Sequence, residues 1–153
     1  MKSIQTWLNE YGESHQNKTN KTIHWICIPL IFWSIVALLY AINLHFKLIG
    51  IPITAAHVAL LLVLAYYTRL SPSLSVGMTV FSLICLTVCN ALQMIGFTLW
   101  QLALGVFVVA WIGQFIGHHI EGKKPSFLKD IQFLLIGPAW LMSDLFRKWG
   151  IAI

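Results

Sequence analysis

The chain has 153 residues, 58% of them hydrophobic and 10% charged, with a mean hydropathy of +0.78. Soluble domains carry about 25% charged residues, so the composition excludes an ordinary soluble fold and points to a helix bundle in lipid, where the backbone must satisfy its own hydrogen bonds. A β-barrel does not fit, because the apolar segments are continuous runs and do not alternate, and the net charge of +5 flanks those runs, where it orients the chain against anionic headgroups and does not call for nucleic acid.

In chain order, Ile4, Leu8, Tyr11 and His15 fall at helical spacing with Trp7 beside them. They predict a short amphipathic helix over residues 3–15, on the membrane surface or against the bundle. Residues 16–22, QNKTNKT, read as a polar connection. The first 22 residues are too polar for a cleavable signal peptide. The first span is predicted at about 24–45, with Pro29 in its first turns, where a missing backbone donor costs less than in mid-helix. The second, about 52–69, opens on Pro52. Ser71-Pro72-Ser73 mark a turn before the third, about 74–94, and Gly96 separates it from the fourth, about 97–117. Each is near the roughly 20 residues that cross the hydrocarbon, and the short connections predict antiparallel neighbours. Cys27, Cys85 and Cys89 all fall inside apolar runs and read as small packing residues, not as a disulfide framework.

The tail from Pro125 is apolar but carries Asp130 and Asp144, and Gly137-Pro138 interrupts it. Charges at membrane depth are costly, so the tail is expected to form two short interfacial or re-entrant helices and not a fifth span. Charge agrees. With four spans and the N-terminus inside, Lys2, Lys18, Lys21, Arg69, Lys123, Lys124, Lys129, Arg147 and Lys148 are cytoplasmic and only Lys47 is outside. A fifth span would export Arg147 and Lys148. The expected architecture is therefore all-α, one membrane-embedded domain over 1–153 with both termini cytoplasmic, in the inner membrane of a bacterium or the endoplasmic reticulum of a eukaryote.

An even number of crossings sorts the six histidines. His45 and His57 belong to the outer half. His15 and His24 precede the first span, and His118 and His119 end the fourth, so these four share the cytoplasmic boundary. Several neutral imidazoles at one depth suit zinc, iron or copper, although histidines are also tolerated singly at a membrane interface. In the fourth span Gln114, His118 and Glu121 share a helix face. Glu121 reads as a second-sphere partner fixing a histidine tautomer, as a ligand, or as a cap or salt bridge to Lys123 or Lys124. Gly113 and Gly117 form a GxxxG pair that lets another helix approach closely. His118 and His119 point about 100° apart on a regular helix, so both reach one metal only if the helix frays at its end. Ser14 and Asn20 add polar groups to this region. Tyr11, one turn before His15, can serve a ligand or a substrate carboxylate, or simply belong to an interfacial aromatic belt. Lys123, Lys124 and Lys129 can meet a lipid carboxylate, but setting topology is their simpler role.

These residues also carry a resemblance. Tyr11, His15, Asn20 and His24, followed by Cys27-Ile28-Pro29, form one half of it; QFIGHHIEGKKPSF at 114–127 and LLIGP at 134–138 form the other. Over nearly the whole chain the pattern resembles the Mpo1-like membrane family, the group that includes the fungal 2-hydroxy fatty acid dioxygenase. The resemblance implies an iron(II)-dependent enzyme that cleaves a 2-hydroxy fatty acid with O2, giving CO2 and the fatty acid one carbon shorter. It implies His15, His24 and His118 as Fe2+ ligands, with His119 beside them, and leaves Glu121 and Tyr11 as candidate catalytic groups. The partners are then a lipid or fatty acid, O2 and the membrane. The alternatives are a non-enzymatic scaffold or lipid-binding protein, or another histidine-metal lipid enzyme. A di-iron desaturase needs more histidines than six, and no HExxH of a zinc hydrolase is present.

Overall fold

The computed structural model describes residues 2–128 and 132–153; Lys129 and Asp130 lie outside the described residues. The fold is the all-α membrane bundle expected. Helix α1 (Ile4–Gly12) precedes α2 (Lys18–Tyr40), α3 (Ala55–Leu70), α4 (Pro72–Met94), α5 (Leu99–Glu121) and α6 (Phe133–Lys148), with a short 3-10 turn at Ser126–Leu128. Helices α2, α4 and α5 are each 23 residues long and apolar enough to cross a membrane, and α3 is a shorter apolar helix of 16 residues.

Four expectations are corrected. The polar run KTNKT at 18–22 is helix, not connection, because the Asn17 side chain caps it, accepting from the backbone N–H of Thr19 (2.8 Å) and Asn20 (3.3 Å). Helix α2 thus begins before His24, and Pro29 sits in mid-helix, where the carbonyl of Trp25 loses its partner. At the far end α2 stops at Tyr40. A two-stranded antiparallel hairpin, β1 (Asn43–Leu48) and β2 (Ile51–Thr54), replaces the expected end of one span and start of the next. Its turn, Ile49-Gly50, has both residues at positive φ (51° and 79°), and His45 takes φ 59° where the β1 register slips between Asn43 and Lys47. Pro52 therefore lies in a strand, and α3 starts after Thr54, where His57 Nδ1 accepts the Thr54 backbone N–H at 3.2 Å.

Third, helix α5 turns away from α4 after their short connection and packs mainly on α2. The glycine pair explains why. A Cβ on Gly113 would lie 2.6 Å from Cys27 Sγ, and one on Gly117 would collide with Asn20 Oδ1 and sit 3.3 Å from His24 Cε1. Hydrogen at these two positions is what lets the helices close. The buried thiols of Cys85 and Cys89 pack with Val36, Ala56 and Ala103, and none of the cysteines is paired.

Fourth, Gly137-Pro138 does not divide the tail: α6 runs through both residues as one helix, with the 3-10 turn at Ser126–Leu128 ahead of it. Pro138 is the sixth residue of α6 and breaks only the bond to Leu134; one residue on, the Leu135 carbonyl accepts from the Tyr67 hydroxyl at 2.6 Å. Asp144 is not a naked charge at depth, since it pairs with Lys148 at 3.0 Å and Arg147 at 3.5 Å. Phe133, Ile136, Trp140 and Leu141 of α6 bury against Trp7, Leu8 and Tyr11 of α1. The amphipathic N-terminal helix therefore seals the end of the bundle where α2 begins and α5 ends.

Candidate metal centre

The chain ends meet there. His15 lies in the α1–α2 connection, His24 in the second turn of α2 and His118 in the last turn of α5, and all three are buried. One ligating nitrogen from each falls within 4.8 Å of the others, close enough to hold a metal ion. His24 Nε2 and His118 Nε2 are 3.2 Å apart, near the roughly 3.4 Å expected between nitrogens on one tetrahedral ion at 2.0–2.1 Å.

Local backbone sets the tautomers. His15 Nδ1–H donates to the Tyr11 carbonyl at 2.6 Å and His24 Nδ1–H to the Asn20 carbonyl at 2.9 Å, both four residues back. Each bond leaves Nε2 with a bare lone pair facing the cluster. His15 Nε2 has no hydrogen-bond partner among the described residues. A buried polar atom left so costs about 1–3 kcal/mol, and a cation would satisfy the inward lone pairs together. Burial pushes the His15 imidazole from 6.5 down to about 4, against the opposing pull of its bond to the Tyr11 carbonyl. It is therefore neutral at pH 7, the form that ligates.

The surrounding side chains hold this arrangement. Among the described residues no hydrogen bond joins the Glu121 carboxylate to His118. The carboxylate accepts the backbone N–H groups of Gln16 and Asn17 (2.8 Å each) and the Asn20 amide (3.0 Å), so it clamps the approach to α2 onto the end of α5. The same Asn20 amide nitrogen donates to the Ser14 carbonyl at 3.1 Å. Among the described residues no lysine salt bridge involves Glu121. Lys123 instead donates to the Glu13 carbonyl at 2.6 Å, and Ser14 and Ser126 share a hydroxyl hydrogen bond. Tyr11 stacks on His15 with ring centroids 4.2 Å apart and planes 12° from parallel. Burial raises its hydroxyl pKa, which keeps it a proton donor at neutral pH.

The structure gathers His15, His24 and His118, with Tyr11, Ser14, Asn20 and Glu121 around them, and leaves His119 apart. Helix α5 stays regular through Glu121, ending at Gly122 with φ 71°, so His119 faces outward and is exposed. Lys124 is exposed as well. Trp140, which packs 5.4 Å from the His15 ring and 5.6 Å from Tyr11, carried no sequence signal beyond its apolar helix. On one side the cluster meets an apolar cavity of about 410 Å³ lined by Tyr11, Gln114 and His118 and running between α2 and α3. On the other, His15 borders a polar cleft of about 360 Å³ with Gln16, Lys21 and Arg147 on its wall.

Comparison with known proteins follows the same boundaries. Residues 1–149 match the family described as 2-hydroxy-palmitic acid dioxygenase Mpo1-like. Over 149 residues the chain is 27% identical to the 2-hydroxy-palmitic acid dioxygenase MPO1 of Saccharomyces cerevisiae, covering 96% of this chain and 82% of the yeast protein. No solved structure matches.

Proposed function

The chain belongs to the Mpo1-like family, and from that premise we propose that it is an iron(II)-dependent dioxygenase of 2-hydroxy fatty acids. The observation that carries this reading is the buried cluster of His15, His24 and His118, two of whose Nε2 lone pairs are turned inward by backbone carbonyls, at the mouth of an apolar cavity. In this reading the three imidazoles hold Fe2+. The chemistry that iron(II) supplies in such a site is activation of dioxygen at open coordination positions. The overall reaction balances as a 2-hydroxy acid plus O2 giving the acid one carbon shorter, CO2 and water.

The remaining roles belong to the chain. Three neutral histidines contribute no negative charge, so a divalent ion among them attracts the substrate carboxylate. The protonated Tyr11 hydroxyl borders the cavity and donates to that carboxylate or to the 2-hydroxyl. Glu121 acts through position: its three accepted hydrogen bonds keep the His15 loop and the His24 turn against α5. The apolar cavity excludes water from the reacting end, and the polar cleft gives protons and a small product a route to solvent. The positive-inside distribution keeps this end of the bundle, with both termini, on the cytoplasmic side.

The test is oxygen consumption. Iron-loaded protein in detergent or nanodiscs is given 2-hydroxypalmitate or palmitate. Expected are O2 uptake with the hydroxy acid alone and appearance of pentadecanoate. Equal uptake with both acids, or none with either, refutes the dioxygenase reading. Absence of bound metal, with behaviour indifferent to His24→Ala, would favour a lipid-binding scaffold instead.

A further inference from the structure

The cavity beside His118 is far larger than a metal site needs. One of its walls is a single stripe of α2 that includes Ile28, Ile35 and Leu39. From Ile28 to Leu39 that stripe runs about 16 Å along the helix at about 1.5 Å per residue. The opposite wall comes from α3, which runs back antiparallel. The β1–β2 hairpin joins the Tyr40 end of α2 to the start of α3, where Ala56 packs with Val36 and Ala37, and Val63 lies two turns further along α3. Moving along α3 from Val63 to Ala56 therefore moves away from the histidines, toward the inner end of the cavity. There α3 lines the cavity with two alanines one turn apart, Ala56, which is fully buried, and Ala59, with Leu60 beside them.

We propose that this cavity is the acyl-chain channel of the 2-hydroxy acid, and that Ala56 and Ala59 set the chain length it accepts. The proposal rests on the functional reading above, which supplies the occupant's polar head. Three features of the cavity supply the rest. Its wall is continuous with Tyr11 and His118, so a chain whose carboxylate lies at the cluster has one apolar way to go. It is lined almost wholly by apolar side chains, which match a polymethylene chain and offer nothing to a polar ligand. Its length matches as well. An extended chain advances about 1.2 Å per bond, as the peptide backbone does with roughly 3.6 Å for three bonds, so about 16 Å holds roughly 13 carbons beyond the reacting end. That is the tail of a long-chain acid, and a larger side chain at either alanine would cut it short.

The test compares Ala59→Phe and the milder Ala56→Val with the wild type, and with Leu62→Phe on the exposed face of α3 (Leu62 is 69% exposed) as control. Two readouts are taken on 2-hydroxy acids of 8, 12 and 16 carbons. One is kcat/KM of the iron-loaded protein. The other is equilibrium binding to metal-free protein, read from quenching of tryptophan fluorescence by chain-brominated acids, since Trp111 lines the cavity. Filling the inner end should lower the 16-carbon to 8-carbon ratio by roughly tenfold or more in Ala59→Phe, and by less in Ala56→Val. Leu62→Phe should keep the wild-type ratio. Turnover by the wild type with unshifted ratios in both alanine variants overturns the channel and spares the dioxygenase reading. Shifted binding ratios with no turnover on any hydroxy acid support the channel and overturn that reading. If Ala59→Phe does not fold, Ala56→Val decides by the same ratio. Quenching of equal strength in the wild type and in both alanine variants at every chain length would mean that the cavity holds bilayer lipid, and would also overturn the proposal.

Discussion

Gly117→Ala should weaken metal binding at the histidine cluster without replacing any of the three histidines. The new methyl would collide with Asn20 Oδ1 and crowd His24 at Cε1 (3.3 Å) and Nδ1 (3.4 Å). Asn20 cannot swing aside cheaply, because its amide nitrogen is bonded to both Ser14 and Glu121. Relief therefore takes a separation of α2 and α5 on the order of 1 Å, the kind of backbone shift that costs about 1–3 kcal/mol in an overpacked core. His24 rides on α2 and His118 on α5, and their Nε2 atoms are now 3.2 Å apart. Metal–nitrogen distances tolerate only about 0.2 Å, so the same movement should cost about 10–100-fold in metal affinity, the usual penalty for a disturbed supporting shell. The assay is competition against a chromogenic chelator on purified protein, with Gly105→Ala as control. Gly105 lies on the same helix with nothing within 4 Å of a Cβ, so a methyl there should leave metal affinity unchanged and raise the melting temperature slightly through its better helix propensity. Wild-type metal affinity in folded Gly117→Ala would refute both the close-approach argument and the histidine cluster as the metal's seat.

The remaining predictions probe the groups around the cluster. Glu121→Gln offers one acceptor oxygen where the carboxylate offers two, and leaves a backbone N–H of Gln16 or Asn17 unserved. It should lower melting temperature and metal affinity together, for a cost of about 1–3 kcal/mol. Loss of turnover with both unchanged would instead make Glu121 a catalytic residue. Tyr11→Phe keeps the stack on His15 but removes the donor, and should lower kcat/KM for a 2-hydroxy acid by about 10–100-fold, the worth of a hydrogen bond to a charged group. Unchanged kcat/KM would remove Tyr11 from substrate binding. For pH, His15 is held neutral down to about 4 in the folded protein, whereas its ordinary value is 6.5. The unfolded state then binds the extra proton first, so metal-free protein should lose stability as pH falls from 6.5 to 4, by up to ~3 kcal/mol from this group, with nothing further below that window. His15→Asn should flatten that part of the melting-temperature profile, and an unaltered slope would show that His15 is protonated in the fold. Gly113→Ala should also weaken metal binding through the 2.6 Å approach to Cys27 Sγ, and adding Cys27→Ala should restore it. Failure of the double variant to recover would place the damage elsewhere.

Much of the site was legible because it depends on parity. Any even number of crossings between His24 and His118 returns them to one side, and the spacing of Gly113 and Gly117 is a property of one helix. What could not be read depended on reach across the fold. Glu121 shares a helix face with His118 and neighbours Lys123 and Lys124, so local spacing offered it a histidine, a metal or a lysine, yet it turns to two backbone N–H groups more than a hundred residues earlier in the chain. Capping misled in the same way. Residues 18–22 look like a linker by composition, and only the Asn17 cap with the Glu121 clamp beside it shows why they are helical.

That extension of α2 has a chemical consequence. Had the helix begun at His24, the Asn20 carbonyl would lie in a loop and could not hold His24 Nδ1 from one turn below. The imidazole would then be free to choose its tautomer. With the helix started at Lys18, His24 repeats the device His15 uses on Tyr11, an imidazole N–H donated to the carbonyl four residues back. Two separate segments thus present the same nitrogen, with the same lone pair, to the same point. A pair of merely tolerated interfacial histidines would have no reason to share that constraint. Disturbing either carbonyl's turn should therefore release metal even where every imidazole remains in place.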